Sequence, residues 1–365
     1  MERRQSFNEQ TLRSLQRSLH VLIVTFIIGF AALVMSWNKG YFTSVPVTEQ
    51  TGSAVAEASL LSADLFDDPS LWRAPDLSEI ADEEHKKLVT YGRELIAHTS
   101  RYLGPKGSVM QMTNGMNCQN CHLDAGTRPW GNNYGSVAST YPKFRPRSGS
   151  IENIYKRVND CIQRSLNGKP LDTLGREMQA IKAYIEFLGS NVEKGKRAEG
   201  SGLKDLAFLD RAADPKRGKE VYVAKCQSCH QADGSGLLNA DSTEYIYPPL
   251  WGPNSYNDAA GLYRITHFAK FVKNNMPLGA TFKNPLLTDE EAYDVAAYVN
   301  SQPRPHLPVP HDWPDISKKP IDHPFGPYAD SFSEEQHKYG PWKPIEEERK
   351  KREALAATAA KPGGK

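Results

Sequence analysis

The pentapeptide Cys-x-x-Cys-His occurs twice in the chain, as Cys118-Gln-Asn-Cys121-His122 and as Cys226-Gln-Ser-Cys229-His230. Two thiols three residues apart on one turn can reach the two vinyl groups of a porphyrin, and the adjacent imidazole can reach its iron. The spacing is therefore that of c-type haem attachment. A zinc site would need four ligands at local spacing, and each half of the chain has too few thiols for one. A redox dithiol is expected in a βαβ setting, which the helical patterning around both motifs opposes. The motifs predict two covalently bound haem c groups, attached through Cys118, Cys121, Cys226 and Cys229, with His122 and His230 as proximal iron ligands.

The surroundings repeat along with the motif. Ser78-Glu-Ile-Ala-Asp-Glu-Glu opens a helical pattern, with acids in its first turn, that runs to Ile96 ahead of the first motif. A Gly/Pro/Asn/Tyr-rich loop from Gly126 to Gly149 follows, then helical spacing over Ile151–Ser165 and Leu171–Leu188. The second half has helical spacing over Asp214–Lys225, the second motif, a loop over Tyr245–Gly261, and helices predicted at Tyr263–Lys273 and Thr288–Asn300. Thr288-Asp-Glu-Glu291 matches a capping box. The pattern predicts an all-α chain with two cytochrome c domains in tandem: residues 78–195 around the first haem and 206–305 around the second, joined by a charged, glycine-rich linker at 196–205. Residues 306–365 read as an extension lying over both domains, frayed from Glu346 onward by its charge and its Ala/Gly/Lys content.

Before these domains stands an apolar run, Val21–Trp37, preceded by Arg3, Arg4, Arg13 and Arg17. Basic residues ahead of an apolar stretch hold the N-terminus in the cytoplasm and send the following chain across the membrane. No small-x-small cleavage site follows. Residues 1–40 are thus expected to be an uncleaved signal anchor and 41–77 a tether, placing both domains in the periplasm, held at the inner membrane. A net charge of only +2 gives no basic excess for neutralising phosphates, which argues against a nucleic-acid partner.

The second axial ligand decides what each haem does. In the second half, Met276 lies in Asn275-Met-Pro-Leu-Gly279, where a Met-Pro turn can hold a thioether over iron, and Lys273 is an outside candidate. In the first half the choice lies between Met178, in mid-helix, and Cys161, the fifth and unpaired thiol. Cys161 sits among six basic residues, Lys143, Arg145, Arg147, Lys156, Arg157 and Arg164, against the two acids Glu152 and Asp160. Positive surroundings favour a thiolate, and guanidinium forks suit small oxyanions. On a helix, Arg157 and Arg164 share a face with Cys161. The residues point to an anion site beside a redox centre.

In these stretches the chain resembles the diheme c-type thiosulfate dehydrogenases. The similarity runs through Asn117-Cys-Gln-Asn-Cys-His-Leu-Asp-Ala-Gly126, Tyr141-Pro-Lys-Phe-Arg-Pro-Arg147, Arg157-Val-Asn-Asp-Cys-Ile-Gln-Arg-Ser-Leu-Asn-Gly168, Asn275-Met-Pro-Leu-Gly279 and His323-Pro-Phe-Gly-Pro-Tyr328, over residues 80 to 345. The resemblance implies oxidation of two thiosulfates to tetrathionate, a reaction that also runs in reverse. It implies His122/Cys161 ligation at the catalytic haem and His230/Met276 at the haem where electrons leave. It further implies Arg147 and Arg157 as sulfonate-binding residues, with Ser165 assisting, and a cytochrome or membrane redox partner as electron acceptor. Some members carry a lysine directly before the methionine; this chain has Asn275. Two rival readings share the cysteine or the haems: a sulfur-oxidation cytochrome that conjugates thiosulfate to a carrier protein, and a membrane-anchored electron shuttle with no substrate of its own.

Overall fold

A computed structural model describes residues 14–20, 22–28, 30 and 68–359. The chain parts into two units, Met1–Leu60 and Leu61–Lys365. In the first, the described residues are helical, and Leu22, Ile23, Val24, Phe26, Ile27, Ile28 and Phe30 are all exposed. Among the described residues no helix is long and apolar enough to cross a membrane. Most of the expected anchor's second half, residues 31–37, lies outside the described residues, as do Val21 and Gly29.

Seven longer helices organise the second unit: α1 (Glu83–Ala97), α2 (Ile154–Arg164), α3 (Arg176–Leu188), α4 (Pro215–Lys225), α5 (Ile265–Asn275), α6 (Asp289–Ser301) and α7 (Lys343–Ala359). Their starts follow local chemistry. Asp82 accepts from the backbone of His85, Asn153 from Lys156, and Asp214 from Lys216 with Pro215 just inside the helix. The Thr288–Glu291 capping box closes as expected.

Two hydrophobic cores result, and each is built on one helix crossing. In the first, α1 meets α3 at Gly92, where an added Cβ would come within 2.0 Å of the Ala180 carbonyl oxygen. Val89, Leu95, Ile96, Met178, Ile181 and Tyr184 pack around that contact. In the second, α4 meets α6 at Gly218, where a Cβ would lie 1.8 Å from the Asp294 carbonyl oxygen. The duplication read in the sequence is thus a duplicated packing solution: one glycine lets two backbones touch, and aromatic and aliphatic side chains fill the flanks.

Three expectations need correction. The unit is not purely helical: β1 (Lys143–Arg145) pairs antiparallel with β2 (Ser150–Glu152), and β3 (Leu237–Leu238) with β4 (Tyr245–Tyr247). The helical pattern read from Ile151 begins only at Ile154, because Ile151 faces Phe144 across the first hairpin with its side chain in solvent. The segment read as frayed from Glu346 is helical as far as Ala359. Trp342 and Ile345 are fully buried in the second core and nucleate α7, which runs to Ala359. Between α6 and α7 the chain reaches back to the first core, where Asp312 meets Arg164.

Candidate active site and haem clefts

A cavity of about 340 Å³ opens in the first half, lined by Cys118, Cys121, His122, Arg157, Cys161 and Ser165 among others. Six separate stretches of the first half converge there, among them the attachment motif, the loop that follows it and α2. His122 is fixed by its neighbours. Its Nδ1–H donates to the Asn132 carbonyl at 2.5 Å, its ring stacks on Tyr134 at 4.4 Å, and burial pushes its pKa down to about 4. The imidazole is therefore neutral, with Nε2 as its free lone pair, which is the tautomer an iron ligand requires. Burial holds the Cys118 and Cys121 thiols up to about 11 and about 12.

Across the cavity, α2 places Arg157 and Cys161 one turn apart, and the Arg157 Nη1–H donates to Cys161 Sγ at 2.9 Å. Attraction to that sulfur raises the Arg157 pKa above its usual value, with burial opposing. Arg157 is thus held as a cation against the thiol. Ser165 lines the same cavity. Met178 is fully buried in the first core and lines neither haem cleft.

Arg147 is placed differently. Its guanidinium lies over the Trp313 ring at 5.5 Å and its Nε is 3.8 Å from Asp312, which Arg164 grips bidentately at 2.8 and 2.9 Å. Neither Arg147 nor Arg164 is among the residues lining the cavity. The cations that do line it beside Arg157 are Lys143, Arg145 and Arg197. Lys143 and Arg145 alternate along β1, so their side chains share one face of the hairpin. Burial and then repulsion from Arg145, Arg197 and Arg157 lower the Lys143 pKa. That alternation was visible in Lys143-Phe-Arg145; Arg197, in the linker, gave no signal.

The second cleft repeats the first. His230 donates Nδ1–H to the Pro248 carbonyl at 2.8 Å, and burial lowers its pKa. Cys226, His230 and Met276 line one apolar cleft, to which the first half contributes Met116, Asn120 and Cys121. Lys273 is committed elsewhere: its Nζ bonds the Leu287 carbonyl at 2.6 Å and Asp289 at 2.7 Å. Asn275 donates to the Phe271 and Trp130 carbonyls, tying the end of α5 to the first half. Both clefts fit haem c by donor chemistry: a dithiol turn, a neutral imidazole oriented by a backbone carbonyl, and a sulfur across an apolar gap. Cys121 and Met116 line both clefts, so the two haem sites share a wall.

Residues 108–193 match the SoxA/TsdA cytochrome c domain, and residues 215–303 match cytochrome c. A thiosulfate dehydrogenase of Psychrobacter arcticus is 36% identical over 246 residues, covering 67% of this chain and 72% of that protein. One from Allochromatium vinosum is 34% identical over 273 residues, 72% of this chain and 97% of that protein. The chain belongs to the thiosulfate dehydrogenase family. A solved relative, the thiosulfate dehydrogenase TsdBA of Marichromatium purpuratum in its as-isolated form, superposes with a TM-score of 0.60 at 31% identity. The match covers 65% of this chain and 50% of that one. In this chain the family's first domain model contains the first attachment motif, Arg157 and Cys161, and the second contains the other motif and Met276.

Proposed function

We propose that the protein oxidises thiosulfate to tetrathionate at Cys161 and delivers the electrons through its second domain. The observation that carries this reading is the Arg157–Cys161 contact of 2.9 Å inside the cavity that also holds Cys118, Cys121 and His122. The guanidinium thus donates directly to the sulfur that this reading makes both nucleophile and iron ligand. The two motifs would hold haem c, with His122 and Cys161 at one site and His230 and Met276 at the other as the residues that would bind its iron, and the two groups would supply two one-electron acceptors.

The balance at sulfur is simple. The Cys161 thiolate and one thiosulfate join through a new S–S bond, giving Cys–S–S–SO₃⁻ and releasing two electrons. A second thiosulfate then attacks the outer sulfur of that adduct. The Cys161–sulfur bond breaks, tetrathionate leaves, and the thiolate is restored with no net proton transfer. The chain's own contribution is electrostatic: two dianions must meet, and Arg157 with the other cavity cations offsets their repulsion. Ser165 offers a hydroxyl at the same wall. Run backward, the same steps reduce tetrathionate.

Haems held in these two clefts would share the wall that Cys121 and Met116 form, a short route for electrons toward an external cytochrome or membrane redox partner. The run of exposed apolar residues Leu22, Ile23, Val24, Phe26, Ile27 and Ile28, with Arg3, Arg4, Arg13 and Arg17 before it in the sequence, is the ground for reading a periplasmic protein held at the inner membrane. The decisive experiment incubates purified Cys161→Ala and unchanged protein with thiosulfate and ferricyanide and assays tetrathionate. Loss of turnover with both haems still attached is expected; full activity in the variant would refute the assignment.

A further inference from the structure

Residues 195–202 separate the two domains in the sequence, yet they are bonded along their length to the loop that follows the first attachment motif. Gly195 N–H donates to the Ser139 carbonyl at 2.8 Å, and the Ser139 hydroxyl donates to the Lys196 carbonyl at 2.8 Å. Ala198 N–H donates to the Ser136 hydroxyl at 2.8 Å. The Gly200 carbonyl accepts from Trp130 at 2.7 Å, and that of Gly202 from Asn132 at 2.8 Å. Asn132 is the residue whose carbonyl orients His122. The segment is thus a strap along the first cleft, and it brings Arg197 to the cavity wall.

Arg197 joins Lys143, Arg145 and Arg157 there. Its side chain is exposed in the cleft, with no hydrogen bond and no carboxylate within 4.0 Å among the described residues. Lys143 reaches the Thr140 hydroxyl at 3.5 Å and lies 4.7 Å from the Tyr141 ring centroid, also without a carboxylate. Arg157 is held against Cys161. Arg145 Nε is 3.9 Å from Glu152, an acid shared with Lys156 at 3.7 Å. Among the described residues Glu152 is the one carboxylate within 4.0 Å of any of the four. Repulsion from the other three adds to burial in lowering the Lys143 pKa, so the four charges act on one another. Such a cluster is destabilising until anions join it. A haem attached through Cys118 and Cys121 has its vinyl edge at the motif, and its two propionates leave the opposite edge. Burial, a Thr99 hydroxyl and neighbouring sulfurs, rather than these cations, shift the two thiols. The cationic wall therefore stands away from the attachment turn, where the propionates of a filled cleft emerge.

We propose that Arg197 and Lys143 anchor the propionates of the first haem, so that the segment between the domains completes the first haem site. Two propionates take up two of the four positive charges and leave Arg157 and Arg145 to face the substrate anions. The inference rests on haem occupancy of the first cleft and stands whatever the substrate at Cys161. A cation at a propionate favours the reduced haem, because reduction adds negative charge to the site. The strap thereby makes the first haem a better electron acceptor.

The test is spectroelectrochemical titration of both haems in the full-length holoprotein without thiosulfate, after haem content has been measured. In Arg197→Gln the equilibrium constant for reducing the His122 haem is expected to fall about threefold, about 28 mV at 59 mV per tenfold for a one-electron couple. Adding Lys143→Gln is expected to bring the fall to about tenfold, while the His230 haem is unchanged. The propionate bending band in the resonance Raman spectrum, which follows hydrogen bonding to the carboxylate, is expected to move in the same variants. Lys196→Gln removes the same charge one residue away, at a side chain outside the cavity wall, and is expected to leave both readouts in place. An unchanged potential in the double variant with both haems bound overturns the proposal and leaves these cations to the substrate alone. A Lys196→Gln shift as large as that of Arg197→Gln, or a potential shift with the Raman band unmoved, overturns it too, since either shows only a diffuse field. Should the double variant fail to hold its first haem, Arg197→Gln decides: a threefold fall with a moved band supports the proposal, and an unchanged potential overturns it.

Discussion

Replacing Asp312 by Asn would remove the one charge that links the C-terminal extension to the helix carrying Cys161. The carboxylate is gripped bidentately by Arg164, with side chains only 14% and 12% exposed, and it also faces Arg147. Burial and the neighbouring Arg164 already push the Arg147 pKa down to about 10, and Asp312 is the group that opposes them. Loss of one partner from a buried pair costs about 3–5 kcal/mol, because the other charge stays behind without compensation. The residual exposure puts this pair near the low end, about 3 kcal/mol. With about 2.1 cal/mol/K of unfolding entropy per residue, a chain of 365 residues loses about 1.3 °C of Tm per kcal/mol, so Asp312→Asn is expected to lower Tm by about 4 °C. Arg164 lies three residues after Cys161, so turnover should fall as well. The assay is calorimetry on Asp312→Asn, Arg164→Met and the double variant. The double variant is expected to recover much of the loss, since it leaves no uncompensated Arg164 charge. A drop below about 2 °C in the single variant, with additive behaviour in the double, would refute the claim that this pair behaves as a buried one.

Gly218→Ala is expected to lower stability by several kcal/mol, since its Cβ would lie 1.8 Å from a backbone oxygen that α6 cannot move away; a thermal scan beside an Ala substitution at the exposed Lys219 would check it. Acid is expected to destabilise the second unit through His267 and His323, whose pKa values burial lowers to about 3 and about 4. Both bind protons more readily unfolded, with a pKa near 6.5, so stability is full above about pH 6.5 and is lost as pH falls toward about 4, by about 1.4 kcal/mol per unit for each. Melting temperature against pH should show this slope in the parent and a shallower one in His267→Gln; equal slopes would count against it.

Much of this fold was legible because its determinants are local. The Thr288–Glu291 capping box and the two attachment motifs each act within four residues. The β1–β2 hairpin was missed for the converse reason. Ile151 is apolar and next to a helix, and only its pairing with Phe144 shows that it belongs to a strand facing solvent. The candidate site divides the same way. Arg157 and Cys161 are four residues apart on one helix, so their contact follows from helical spacing. The role of Arg147 depended on an acid far along the chain: Asp312 is 165 positions away, in a segment read only as an overlying tail. Charge density in a sequence identifies a basic neighbourhood, but not which of its cations are already paired.

The same distant contacts tie the two domains to each other. The last carbonyls of α2 have no partners within the helix. Asn257, in the second half and fully buried, supplies them: its backbone N–H bonds the Arg164 carbonyl at 3.1 Å and its Nδ2 bonds that of Gln163 at 2.8 Å. Glu244, on the second hairpin and nearly buried, reaches the other way to Asn117, His98 and Arg101, just ahead of Cys118. The first attachment motif and the Cys161 helix are therefore each held by residues of the second domain, on two sides of the wall that Cys121 and Met116 form between the clefts. A displacement of one domain against the other would move the sulfur relative to the first haem site and alter the shared wall at once. The Cys161 sulfur and the wall between the two clefts are consequently positioned by a single interface.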